Sequence, residues 1–167
     1  MPIVIPFSDA EVRVARQKIT KDLRPVGDEF EATQEHIEHF AIASGDFNPL
    51  HIDPVAAERG PYRKIIAHGF LTVSRVAALA NHMRPFELFE NADCALTGAD
   101  KIRFWRPLTL GKTIRCIGRL VSVRRQGNCV AVNFAWEVNL GAGRKVASGV
   151  FRLNYRKHAE TNIAVAA

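Results

Sequence analysis

The chain has 167 residues, 47% of them hydrophobic and 24% charged, which suits one globular domain with a sizeable core and excludes disordered, collagen-like and two-domain architectures. No run of about 18 apolar residues occurs, because Ser74 and Arg75 interrupt the most apolar stretch from Phe70 to Ala80, so a transmembrane helix and a membrane partner are not expected. The formal net charge of +6 favours polyanions, but the basic residues are scattered rather than gathered on one helix face or tail, which argues against nucleic acid.

The N-terminus MPIVIPFSDAEVR lacks a basic n-region and a long apolar core, so it does not read as a secretory signal and the expected compartment is cytoplasmic. Cys94, Cys116 and Cys129 have no CxxC spacing and are expected as reduced, buried thiols. Residues 1–24 read as an extension, with a short helix over ARQKITKDLR (15–24) stopped by Pro25. Residues 28–32 (DEFEA) read as a short strand. Thr33 then offers an N-cap for a helix over 34–44 with Ile37, Phe40, Ala41 and Ala43 or Ser44 on its apolar face, and Gly45 ends it.

Asp53-Pro54 opens a second short helix, VAAER, closed by Gly60-Pro61. From Ala67 to His82 the chain is apolar on nearly every side, the pattern of a helix enclosed by other structure. Beyond residue 92 period-2 alternation dominates, most clearly in Val130, Val132, Phe134, Trp136, Val138 and Leu140. Strands are predicted at 94–106, 112–125, 129–140 and 144–155, divided by Pro107 to Gly111, Gly127-Asn128 and Gly141-Ala142-Gly143, and read as an antiparallel meander. The fold class is α+β: a long antiparallel sheet wrapped around one apolar helix, within a main domain over 25–158 and before a tail over 159–167.

The segment ASGDFNPLHIDP places a carboxylate at Asp46, an amide at Asn48 and an imidazole at His51 on a rigid turn. A carboxylate and an imidazole converging on one point can hold a water and move its protons. Asp and Asn also favour turns because they bond their own backbone, so on the residues alone both readings stand. His36 and His39 share a helix face and read as surface histidines rather than metal ligands, and Asp53 serves better as a cap than as a ligand beside His51. Neither Ser44 nor Ser74 has a nucleophile context, and no glycine-rich nucleotide loop is present.

SGDFNPLHIDPVAA followed by IIAHGFL, with VGDEFE before and IRFWRPLTLGKTI after, resembles the MaoC-like, R-specific enoyl-CoA hydratases across about residues 25–155. The resemblance implies a hot-dog fold, a homodimer, and reversible addition of water to trans-2-enoyl thioesters. It also implies coenzyme A or an acyl carrier protein as the carrier, and neither metal nor added cofactor. It places the catalytic pair on Asp46 and His51, a supporting amide on Asn48, and an oxyanion-binding backbone N–H on Gly69, with His68 beside it. Gly69 opens the apolar helix, where first-turn N–H groups lack partners, so an oxyanion suits that position on physical grounds too.

A lone copy of such a sheet leaves an edge exposed, which supports a dimer. Arg59, Arg63, Lys64, Lys101, Arg103 and Arg106 are the candidates for phosphate contact, and Phe70, Val73 and Ala77 for setting pocket depth. The alternatives are a hot-dog thioesterase and a non-catalytic module that binds acyl thioesters or carrier proteins.

Overall fold

The computed structural model describes residues 6–81, 88–89, 92–141 and 143–157. Residues 1–5, His82, Ala142 and the 159–167 tail, which figure in the sequence reading, lie outside the described residues.

The first helix, α1, spans Asp9–Gln17 rather than 15–24. A capping box fixes its start: Ser8 Oγ accepts the Glu11 N–H at 3.2 Å, and the Glu11 carboxylate accepts the Ser8 N–H at 2.7 Å. Val12 and Ala15, three apart on one face, then bury against the domain core beside Phe7. The Lys157 ammonium reaches Glu11 at 2.6 Å, and Arg125 donates to the Phe7 carbonyl at 2.6 Å. The segment read as the second half of that helix instead enters strand β1, Arg24–Glu31, which also begins earlier than the expected 28–32. Pro25 fits there because β1 is an edge strand, where a missing N–H need not break a ladder. Gly27, at φ 63, lies in the irregularity between Val26 and Phe30.

Helix α2 spans Gln34–Ser44, with Thr33 accepting the His36 N–H and Gly45 in the left-handed region at φ 73. Ile37 and Ala41 are buried and Phe40 partly so, while Ala43 and Ser44 face solvent. Two short helices follow, α3 over Pro49–Ile52 and α4 over Pro54–Arg59. The sequence reading had a turn at α3, not a helix. Helix α5 begins at Gly69, the residue expected to open it, although the apolar stretch starts at Ala67, and runs to Asn81.

Strands β2 (Ala92–Phe104), β3 (Thr113–Gln126), β4 (Cys129–Leu140) and β5 (Arg144–Lys157) match the expected set to within two residues at each end. Their connectivity differs from a four-strand meander. The sheet order is β1-β3-β4-β5-β2 and every pairing is antiparallel, so β2 lies beside β5 at one edge and only β3-β4-β5 follow one another. A meander would need β2 to turn directly into β3. The segment between them instead runs back past residues 65–67, where Ala67 donates to the Leu108 carbonyl at 2.7 Å and Leu110 to the Ile65 carbonyl at 3.0 Å.

The alternating residues of β4 from Val130 to Val138 all face the core, together with Leu71, Val73 and Val76 of α5. Burying each such side chain contributes about 1.5–3 kcal/mol, so this face and α5 hold each other in place. Two glycines make room for the largest rings. A Cβ on Gly149 would stand 2.6 Å from Trp136, and one on Gly118 would stand 2.1 Å from Phe134. Among the cysteines, Cys116 is buried, and burial pushes its thiol up to about 12. Cys129 is half-buried and Cys94 exposed on edge strand β2, so the expectation of buried thiols holds fully for Cys116 alone.

Candidate active site

The site grows from the end of α2. Gly45 terminates that helix with its N–H on the Ala41 carbonyl at 2.9 Å, and Asp46 begins a sequence of side-chain caps. Asp46 Oδ1 accepts the Asn48 N–H at 3.2 Å, and Asn48 Oδ1 accepts the Leu50 N–H at 3.1 Å to cap α3. Pro49, at the first helical position, gives up no hydrogen bond there. Asn48 thus fixes the helical turn that carries His51. Asp53 repeats the device one helix later, its Oδ1 accepting from Val55 and Ala56 at 2.9 and 3.1 Å.

His51 is oriented from its other side. Its Nδ1 lies 2.7 Å from the carbonyl of Ile66, and since a carbonyl only accepts, Nδ1 carries the hydrogen and the neutral ring leaves Nε2 as a free acceptor. Ile66 in turn bridges to Thr109 and donates to the Leu50 carbonyl at 3.3 Å. The imidazole is therefore braced against the segment that precedes α5.

His68 is the most enclosed polar residue of the group, 2% exposed. Its Nε2 lies 2.9 Å from the Asp46 carbonyl oxygen and so donates to it. Its ring packs 3.8 Å from the His51 ring and 5.0 Å from Phe40. The opposite ring nitrogen, Nδ1, is buried with no hydrogen-bond partner.

The ligating atoms of Asp46, His51 and His68 lie within 4.8 Å of one another. The two imidazole rings, tilted 33° to each other, and the Asp46 carboxylate form one polar cluster whose donor set suits a bound water or a metal ion.

His51 opens onto a cavity of about 440 Å³ walled chiefly by Tyr62, Ile66, Phe70, Phe104 and Leu108, with Gly69 at its edge. As the first residue of α5, Gly69 has no carbonyl four residues back within the helix for its N–H. Its Cα meets the Phe104 ring so closely that a Cβ would stand 2.8 Å from it. Of the residues expected to set pocket depth, Phe70 lines this cavity, while Val73 and Ala77 pack into the core.

The basic candidates separate. Arg106 lines the cavity, and Trp105 beside it donates its Nε1–H to Ser148 Oγ at 3.0 Å. Arg103 lies over the Trp105 ring at 6.0 Å. Arg63 and Lys64 line a different groove with Glu38 and Glu58, and Lys101 lies with Lys21 and Arg119 in another. Arg59 closes the last turn of α4.

His36 is tied to Thr33 Oγ1 and to the Glu31 carbonyl, and His39 is exposed, as surface histidines. Ser44 and Ser74 donate to the Phe40 and Phe70 carbonyls of their own helices. Tyr62, Thr72 and Val146 of the cavity wall escaped the sequence reading, since each lies alone in its segment and only the fold gathers them.

A hot-dog sheet around α5, with an Asp–His pair beside the helix start and an apolar cavity, defines the class of this protein. The chain belongs to the MaoC like domain family, which matches residues 12–139. It is 36% identical over 97 residues to 3-hydroxyacyl-thioester dehydratase Z of Mycobacterium tuberculosis, covering 58% of this chain and 62% of that relative's length. Its fold is similar to R-hydratase PhaJ1 from Pseudomonas aeruginosa, with a TM-score of 0.67, 20% identity, and coverage of 89% of this chain and 93% of that one. It is likewise similar to the HadBC 3R-hydroxyacyl-ACP dehydratase complex of Mycobacterium tuberculosis, with a TM-score of 0.67, 17% identity, and coverage of 83% and 98%.

Proposed function

We propose that this protein adds water reversibly to trans-2-enoyl thioesters, giving (R)-3-hydroxyacyl thioesters, and dehydrates them in reverse. The observation that carries this reading is the junction of three features: the Asp46–His51–His68 polar cluster, the free His51 Nε2, and the Gly69 N–H, which has no partner within its helix, with His51 and Gly69 on one apolar cavity. The names of the family relatives support the reaction class and the R configuration.

In the forward direction the water oxygen bonds to C3 and the C2–C3 π electrons move onto the thioester oxygen. The Gly69 N–H faces that developing charge, and one preorganised donor of this kind supplies about 2.7–4 kcal/mol in measured cases. Asp46 and His51 share the two proton transfers, one group taking a proton from the attacking water and the other delivering one to C2. No metal enters this scheme.

The carrier is coenzyme A or an acyl carrier protein, and Arg106, which lines the cavity and donates to the Lys145 carbonyl at 3.0 Å, is the basic residue we assign to a phosphate. The protein acts as a homodimer in the cytoplasm, joined along β2, whose outer edge has no strand beside it among the described residues and which exposes Leu96 and Phe104. Incubation with crotonyl-CoA and chiral analysis of the product tests the reaction. The R-3-hydroxy product supports it, while free coenzyme A without hydroxyacyl product points to a thioesterase.

A further inference from the structure

We propose that His68 is a third member of the water-handling site: its bare Nδ1 accepts a hydrogen bond from the reacting water, while its Nε2–H and ring fix Asp46 and His51. The proposal rests on the hydration reading above and adds a residue and a role to it. Three separate contacts converge on this side chain. The Nε2–H fixes the Asp46 backbone at 2.9 Å, one ring face meets His51 at 3.8 Å, and Phe40 backs the ring at 5.0 Å.

The remaining nitrogen is the informative one. A buried side-chain acceptor without a partner is uncommon in folded proteins and calls for a water or ligand. His68 Nδ1 is such an acceptor, sits on a residue with a ligating atom within 4.8 Å of those of Asp46 and His51, and cannot carry a hydrogen while the neutral ring donates through Nε2.

Hydrogen counting then links structure to reaction. The water meets three acceptors, the Asp46 carboxylate, His51 Nε2 and His68 Nδ1, but has two hydrogens to give. All are satisfied when one of the catalytic pair brings a proton of its own and donates it to the water oxygen. That proton is the one the reaction delivers to C2, and the proton released by the water as its oxygen bonds to C3 replaces it. His68 holds the water without taking either proton.

The test uses two variants of the full chain and one measurement on the unaltered protein. His68→Gln keeps an N–H near the Nε2 position but has neither the ring nor an acceptor at Nδ1; His68→Phe keeps the ring and loses both nitrogens. With crotonyl-CoA, kcat is expected to fall at least about tenfold in both, with KM within about twofold, because misplacing reacting groups affects the chemical step rather than binding. Long-range 15N–1H spectra of the unaltered protein are expected to show opposite tautomers, Nδ1–H for His51 and Nε2–H for His68.

An active protein whose His68→Gln form retains full kcat overturns the role given to His68, as does an Nδ1–H tautomer at His68. An inactive unaltered protein that shows the two tautomers overturns the hydration reading instead.

Discussion

The rings of His51 and His68 stack 3.8 Å apart, although one stands on the short helix α3 and the other on the segment leading into α5. Each donates through a different nitrogen to a backbone carbonyl, His51 through Nδ1 to Ile66 and His68 through Nε2 to Asp46. The two bonds leave one nitrogen on each ring without a backbone partner, in a cluster that also includes the Asp46 carboxylate. Acid–base chemistry needs that kind of fixed tautomer, and here backbone carbonyls set both.

On the proposed hydration, the cap that holds α3 also bears on the rate. Asn48→Ala removes the acceptor for the Leu50 N–H, and the loss of an N-cap costs about 1 kcal/mol. Because α3 is one turn long and carries His51, kcat is expected to fall by more than the stability loss alone would suggest. Asn48→Asp is expected to recover most of both. Urea denaturation and initial rates on the same preparations check the pair.

Gly69 and Phe104 form a second coupled pair. In Gly69→Ala the new methyl would stand 2.8 Å from the Phe104 ring, which is half exposed and lines the cavity, so the ring must shift. The expected result is a rise in KM of about tenfold or more with little change in melting temperature. Adding Phe104→Ala is expected to restore much of that loss, a non-additivity that a double-mutant cycle measures directly.

Much of this arrangement was legible in the sequence because local chemistry dictated it. Thr33, Gly45 and Asp53 act at helix ends as their side chains or backbone freedom require, and the alternation from Val130 to Val138 reports one buried face of β4. Asp46 and His51 stood out because the turn chemistry of Asn48-Pro49 holds them within six residues of each other. The remainder depended on tertiary pairing. β2 joins β5 rather than β3, a choice made by the fold that no local signal carries. The start of α1 was marked by Ser8 and Glu11, a capping box that the weak periodicity after Ala15 obscured. His68 was visible only as the neighbour of Gly69, since its partners come from Asp46, His51 and Phe40 on other elements.

The attachment of α1 predicts an acid sensitivity. Hydrogen bonds from Lys157 and then Ser8 hold the Glu11 carboxyl at about 2, below its ordinary 4.5. A carboxyl lowered by folding stabilises the native state above its unfolded value, and that contribution fades as pH drops from about 4.5 toward 2. Since Glu11 is partly exposed, its worth is about 1 kcal/mol. Glu11→Gln is expected to lower stability by that amount at pH 7 and to flatten the fall in melting temperature between pH 5 and 3, as thermal scans in a pH series would show.

The outer edge of β2, which has no strand beside it among the described residues, predicts the assembly. Sedimentation of the unaltered protein is expected to give twice the chain mass, and Leu96→Asp, which places a charge on an exposed apolar position of that strand, is expected to give the single-chain mass. A monomeric unaltered protein would contradict pairing through β2.

The central claim is that Asp46 and His51 together move the protons of a water added to an enoyl thioester. Its most direct test is the rate at which crotonyl-CoA is hydrated by the unaltered protein, by Asp46→Asn and by His51→Ala, with the configuration of the product determined. The account predicts R-3-hydroxybutyryl-CoA and a loss of about two or more decades in each variant, the range that positioned acid–base groups supply. Hydration that persists in either variant at the unaltered rate, or release of free coenzyme A with no hydroxyacyl product, would contradict it.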